Sequence, residues 1–180
     1  MLPIVDKPCI QYLVEEAVQS GITDIIIITS DGKRSIKDYF TASGKLYAHL
    51  SKRNKTEALM ELEKIEKMAN FHFVKQKWQM GDGHAILCAY ELVKNEPFAV
   101  LFGDDIYDNK KPALSQLIEQ YEKVKTPIVG LLKIDKRDCE KYGIFEAKSQ
   151  NGKSYLAKNL VEKPRPADSP SNLAIVGKYI

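Results

Sequence analysis

Five successive residues, Ile25-Ile26-Ile27-Ile28-Thr29, are all β-branched and show no polar alternation. Such a run suits a strand buried within a sheet covered on its faces. A second apolar run, Pro97-Phe98-Ala99-Val100-Leu101-Phe102, ends in Gly103-Asp104-Asp105 and reads the same way. Helical spacing lies before, between and after these runs. Ile10, Leu13, Val14, Ala17 and Val18 form one apolar stripe, with Asp6 as a cap, Lys7 and Pro8 in the first turn and Gly21 as the stop. Residues 35–40, 55–68, 83–93 and 112–125 read as further helices, and 71–74 and 128–134 as strands. Alternation of this kind predicts an α/β fold with a parallel or mostly parallel sheet flanked by helices.

After Asp135 the pattern changes to short strands near 144–147, 156–161 and 172–179, separated by turns. A chain of 180 residues fits one domain. Residues 1–134 form its α/β part and 135–180 an extension of it. Lys163 to Ser171, rich in Pro and polar residues, reads as a long loop outside the core.

Composition narrows the function classes. A net charge of +3 gives no reason to invoke nucleic acid. Cys9, Cys88 and Cys139 are scattered and form no CxxC, which argues for a reducing compartment and against a zinc site. No stretch is long and apolar enough for a membrane span, and no leader pattern opens the chain, so the cytoplasm is the expected location.

Three motifs carry chemistry. Asp104 and Asp105 follow the carboxyl end of an expected strand, where open α/β sheets bind ligands. Carboxylates there can hold a hard cation such as Mg²⁺ shared with substrate phosphates, although Gly-Asp-Asp also suits a plain turn. In Gln76-Lys77-Trp78-Gln79-Met80-Gly81-Asp82-Gly83-His84-Ala85 the glycines let backbone approach a flat ligand, and Gln76 offers the donor and acceptor that pair with a pyrimidine edge. The alternative is an ordinary loop with a glycine helix start. In Val161-Glu162-Lys163-Pro164 a carboxylate can accept sugar hydroxyls and an ammonium can meet a phosphate. Adjacent residues on an extended strand face opposite ways, however, unless the backbone bends.

Seven segments in order resemble the bacterial UTP–glucose-1-phosphate uridylyltransferases, or UDP-glucose pyrophosphorylases. They are Met1–Pro8, Gly81–Ala89, Glu96–Val100, Gly103–Asp105, Lys141–Gly143, Val161–Pro164 and Pro170–Gly177. The resemblance implies a Rossmann-like nucleotidyltransferase fold, and transfer of a uridylyl group from UTP to glucose 1-phosphate with release of pyrophosphate. By the same resemblance Asp104 holds Mg²⁺ and Gln76 with the Gly81 backbone reads uracil. Tyr142 and Gly143 let the sugar approach the chain. Glu162 accepts sugar hydroxyls, Lys163 balances the sugar phosphate as a catalytic cation, and Asn172 and Gly177 line the sugar side. His84 orients its loop rather than moving a proton, and Trp78 packs rather than stacks. Asp105 has no assigned role, because relatives often carry an apolar residue there. Homo-oligomers occur among such enzymes.

The family also carries an opening strand and glycine-rich triphosphate loop before the segment matched by Met1, and further elements past Gly177. The expectation is therefore a fold truncated at both ends, the central portion of an enzyme, weak or inactive alone. Another sugar-1-phosphate nucleotidyltransferase, such as a thymidylyltransferase, is the sister reading, since uracil and thymine share a pairing edge. A non-catalytic binding relative is the reading of a different class.

Overall fold

The computed structural model describes residues 2–180; Met1, which opens the Met1–Pro8 segment above, lies outside the described residues. The chain divides into two compact units. One runs up to Phe98 and includes Ile106–Ser115; the other comprises Ala99–Asp105 and Gln116–Ile180.

The first unit opens with a two-residue antiparallel pairing of β1 (Pro3–Ile4) with β2 (Lys7–Pro8), followed by α1 (Cys9–Gln19). Asp6 is therefore not the cap. Pro8 holds that position in an extended conformation, with Lys7 in the short strand. The helix ends where Gly21 takes φ +89°, a region that side chains disfavour. Then come β3 (Asp24–Thr29), α2 (Arg34–Phe40), α3 (Gly44–Lys52), α4 (Thr56–Glu66), β4 (Asn70–Lys75), α5 (Asp82–Cys88) and α6 (Tyr90–Val93). β3 and β4 pair in parallel with no register break, Ile25 opposite Phe71 and Ile27 opposite Phe73. Val14, Ile27, Phe40 and Ile65 form the buried core of this unit, joined by Ile10, Val18, Phe71 and Phe73. Phe40 stacks on Phe71 with ring centroids 4.6 Å apart. Burying one such ring stabilises by about 1.5–3 kcal/mol. Helix α3 has no counterpart in the sequence reading; its only strong signal is Ser43, whose side chain accepts from the Leu46 N–H.

The second unit begins with β5 (Val100–Leu101). α7 (Ala113–Val124) starts in the segment grouped with the first unit, where the Leu114 N–H donates to the Glu16 carboxylate at 2.9 Å. β6 (Val129–Lys133), a 3-10 helix (Lys136–Lys141), β7 (Gly143–Asn151), β8 (Ser154–Glu162) and β9 (Leu173–Tyr179) follow. β9 is the hub of a five-stranded sheet. Ala174 pairs with both Leu132 and Ile144, and Tyr179 with both Val129 and Val100. Strand alternation buries Ala174, Val176 and Lys178 on one side of it.

The α/β class holds, with helices and strands mixed as expected. The expected mostly parallel pairing does not. Among the described strands β3 and β4 alone pair in parallel, and every pairing in the five-stranded sheet is antiparallel. The apolar run at 97–102 contributes only Val100 and Leu101, antiparallel to β9. β7 and β8 are joined by a tight turn at Gly152, φ +59°, and such a turn permits antiparallel neighbours only. β5 and β6, assigned from sequence to the 1–134 part, both pair with β9 of the 135–180 part. The 163–171 loop is also less superficial than expected. Pro164 and Ser169 are buried, and the Ser169 hydroxyl donates to the Ser171 carbonyl at 2.8 Å and meets the Cys139 sulfur at 3.1 Å.

Candidate functional site

In the first unit, β3 and β4 end side by side at Thr29 and Lys75. The chain leaving β4 crosses Gln76 and turns at Gly81, whose φ of +88° favours glycine, before entering α5. An open groove of about 310 Å³ lies against this turn. Ile28, Thr29, Ser30 and Lys33 line it from the β3 side, and Gln76, Gln79, Gly81 and Asp82 from the other. The Gln76 side chain is fixed there. Its Nε2 lies 3.2 Å from the Gly81 carbonyl, to which it donates, and 3.0 Å from His84 Nδ1. With the amide group donating to both, Nδ1 of His84 is the acceptor and Oε1 of Gln76 is left to accept from a ligand. His84 is thus a clamp on Gln76, which fits its expected orienting role. Trp78 does not pack as expected: 72% of its surface is exposed.

The second unit holds the remaining residues. The turn after β5 carries Asp104, which is exposed and makes no hydrogen bond or ion pair among the described residues. Next to it, Asp105 accepts from the Gly177 N–H at 2.5 Å. Gly177 has no room for a side chain, since a Cβ there would lie 2.5 Å from Asp105 Oδ2 and 2.5 Å from the Phe102 side chain. Gly177 is thus a packing position beside the Asp104 turn.

Tyr142, Gly143, Glu162 and Lys163 meet where β7 begins and β8 ends. Gly143 is the register partner of Glu162, and the Lys163 N–H donates to the Tyr142 carbonyl at 3.1 Å. A Cβ on Gly143 would come 3.3 Å from Glu162 Oε2. Lys163 takes φ +42°, so the strand does bend at this dipeptide. The bend brings Lys163 Nζ to 3.4 Å from Glu162 Oε1, with both side chains largely exposed, 58% and 75%. Carboxylate and ammonium therefore lie on one side of the chain rather than on opposite faces. Asn172 enters through its backbone, its carbonyl accepting from the Ile134 N–H at 3.0 Å as β9 begins.

A nucleotidyl transferase family model matches residues 1–180. The chain belongs to the nucleotidyl transferase family. It is 48% identical over its whole length to the UTP–glucose-1-phosphate uridylyltransferase YngB of Bacillus subtilis strain 168, covering 61% of that protein. It is similar to a UTP-bound UGPase from Acinetobacter baumannii, with a TM-score of 0.92, 35% identity, all of this chain covered and 65% of that one. It is also similar to a UDP-glucose pyrophosphorylase solved with UDP-glucose, with a TM-score of 0.86, 40% identity, 99% of this chain covered and 66% of that one. The chain spans about three fifths of the length of the curated relatives it matches.

Within this nucleotidyl transferase chain, the sequence reading missed Thr29, Ser30 and Lys33 as groove-lining residues. The available signal was their place just past the carboxyl end of the Ile25–Thr29 strand, where α/β sheets bind ligands. No group of three or more His, Cys, Asp or Glu side chains is arranged to hold a metal among the described residues. Asp104 still suits Mg²⁺, which keeps several waters and takes one or two carboxylates together with substrate phosphates. None of the described helices is long and apolar enough to cross a membrane.

Proposed function

We propose that this chain carries the base-reading, metal-holding and sugar-phosphate-holding residues of a UTP–glucose-1-phosphate uridylyltransferase. A phosphate oxygen of glucose 1-phosphate attacks the α-phosphorus of UTP, the bond from that phosphorus to the bridging oxygen breaks, and pyrophosphate leaves. Such a transfer needs positioning and charge neutralisation rather than a covalent intermediate.

Gln76 accepts the uracil ring N–H through Oε1, while the backbone beside Gly81 approaches the flat face of the base. Glu162 accepts hydroxyls of the sugar, and Lys163 neutralises the attacking phosphate. Asp104 would hold Mg²⁺, which would neutralise charge on the triphosphate. Tyr142 and Gly143 keep the backbone at the Glu162 end low enough for the sugar. The observation that carries the reading is the backbone bend at Lys163, because it sets a hydroxyl acceptor and a phosphate cation 3.4 Å apart on a segment whose alternation would otherwise separate them. The names borne by the similar proteins support the same reading.

The test is pyrophosphate release from UTP, glucose 1-phosphate and Mg²⁺. It compares this chain with the same chain joined to the flanking segments of the Bacillus subtilis relative. Turnover by the joined protein that disappears in Asp104→Asn and falls in Lys163→Ala is expected. Turnover with dTTP but not UTP would replace the base assignment, and inactivity of both proteins with every nucleotide would overturn the reading.

A further inference from the structure

Asp105 has no assigned role, yet in the turn that bears Asp104 its carboxylate, its carbonyl and its N–H are all hydrogen-bonded. Its carboxylate accepts from the Gly177 N–H at 2.5 Å. Its backbone carbonyl accepts from Lys178 Nζ at 3.2 Å. Its own N–H donates to the Phe102 carbonyl at 3.2 Å, and the Phe102 N–H donates to the Gly177 carbonyl at 2.8 Å. Lys178 is 1% exposed, so its ammonium is committed inside the fold. Gly177 has no side chain, and a Cβ there would collide with Asp105 Oδ2 and Phe102. Three hydrogen bonds and one glycine thus tie a turn of four residues to two consecutive positions of the hub strand β9, and a fourth bond closes the turn itself.

We infer that Asp105 is a positioning residue: it latches the Phe102–Asp105 turn onto Gly177 and Lys178, and so fixes where the Asp104 carboxylate is presented. The inference deepens the reading of Asp104 as the holder of a divalent cation and rests on it. The latch has a chemical consequence for Asp105. A carboxylate engaged by a buried N–H is held toward the sheet, which separates the two adjacent aspartates into one that faces ligand and one that faces fold. Partners of this supporting kind govern metal affinity strongly, typically by tenfold or more when removed.

Asp105→Asn and Asp105→Ala separate the possibilities. Asparagine keeps an acceptor oxygen of the same reach, whereas alanine has none. Two readouts are followed in this chain: hydrogen exchange at the Gly177 amide, and Mn²⁺ binding from the paramagnetic relaxation of water. Asp105→Asn is expected to keep the Gly177 amide protected and Mn²⁺ affinity within about twofold of the parent, and Asp105→Ala to speed exchange and weaken Mn²⁺ by about tenfold each. If Asp105→Asn weakens Mn²⁺ as much as Asp105→Ala while Gly177 stays protected, Asp105 is itself a ligand and the inference is overturned. Unchanged exchange in Asp105→Ala overturns it as well. Asp104→Asn serves as the control for the underlying reading: if it binds Mn²⁺ as well as the parent does, the metal assignment of Asp104 fails, whereas the exchange data judge the latch by themselves.

Discussion

Two glycines named as candidates on the sugar side differ in what a single methyl group would do. At Gly177 the added Cβ meets Asp105 Oδ2 and Phe102 at 2.5 Å, and neither can withdraw without moving the Asp104 turn. Gly177→Ala is expected to lower stability by about 1–3 kcal/mol, read from the urea midpoint. At Gly143 the nearest atom is the tip of the exposed Glu162 side chain at 3.3 Å, which can swing aside. Gly143→Ala is expected to cost less than about 0.5 kcal/mol of stability. It should instead raise KM for glucose 1-phosphate in an active, extended protein, because Glu162 is the group displaced. A stability loss at Gly143 equal to that at Gly177 would remove the distinction. Asp135 illustrates a purely structural carboxylate. The Arg137 side chain and backbone N–H hold its pKa down to about 2. A depressed carboxylate contributes stability that is present above the ordinary value near 3.8 and is lost as pH falls through about 2. Asp135→Asn should therefore flatten the acid limb of stability between those values and leave the neutral plateau's pH dependence unchanged.

Element ends show where local signals were sufficient and where tertiary partners intervened. α1, α2, α4, α7, β3, β4, β6 and β9 fall near their expected ranges, because each carries a clear apolar period and a breaker at one end. The segment 83–93 was read as one helix and is two, α5 and α6, with Ala89 capping the first and preceding the second. Nothing in its composition marks that break. The first turn of α7 is satisfied by a residue nearly a hundred positions away. Glu16, itself buried, accepts from the Leu114 N–H at 2.9 Å. Helix starts leave donors without intrahelical partners, and a carboxylate there is also favoured by the helix dipole. Glu16→Ala is expected to destabilise by about 1–3 kcal/mol in thermal or urea unfolding, while Glu16→Gln, which retains an acceptor, should lose less. Equal losses would show that packing rather than the acceptor matters.

At the scale of the molecule, the groove around Gln76 and the Glu162–Lys163 end belong to different compact units. Each can therefore be tested by itself. UTP binding by the 180-residue chain, followed by calorimetry, is expected to depend on Gln76 and not on Glu162. Gln76→Ala should weaken it by about tenfold or more, since the variant loses the acceptor for the base N–H. Equal weakening by Glu162→Gln would contradict the assignment of the base to the first unit.

The sequence by itself determined the α/β class, most element positions and the three chemical motifs. These depend on period, composition and adjacency, which are local properties of the chain. Strand direction in the second half was decided only in three dimensions, because a short apolar run does not reveal which strand it will pair with. The positive φ at Lys163 likewise brought the ends of an alternating pair to 3.4 Å from each other, where Pro164 signals only that the chain extends or turns. The same holds for the division of labour between Asp104 and Asp105. They are adjacent and chemically identical in sequence, and differ because the N–H of Gly177, seventy-two residues away, lies within reach of only one of them.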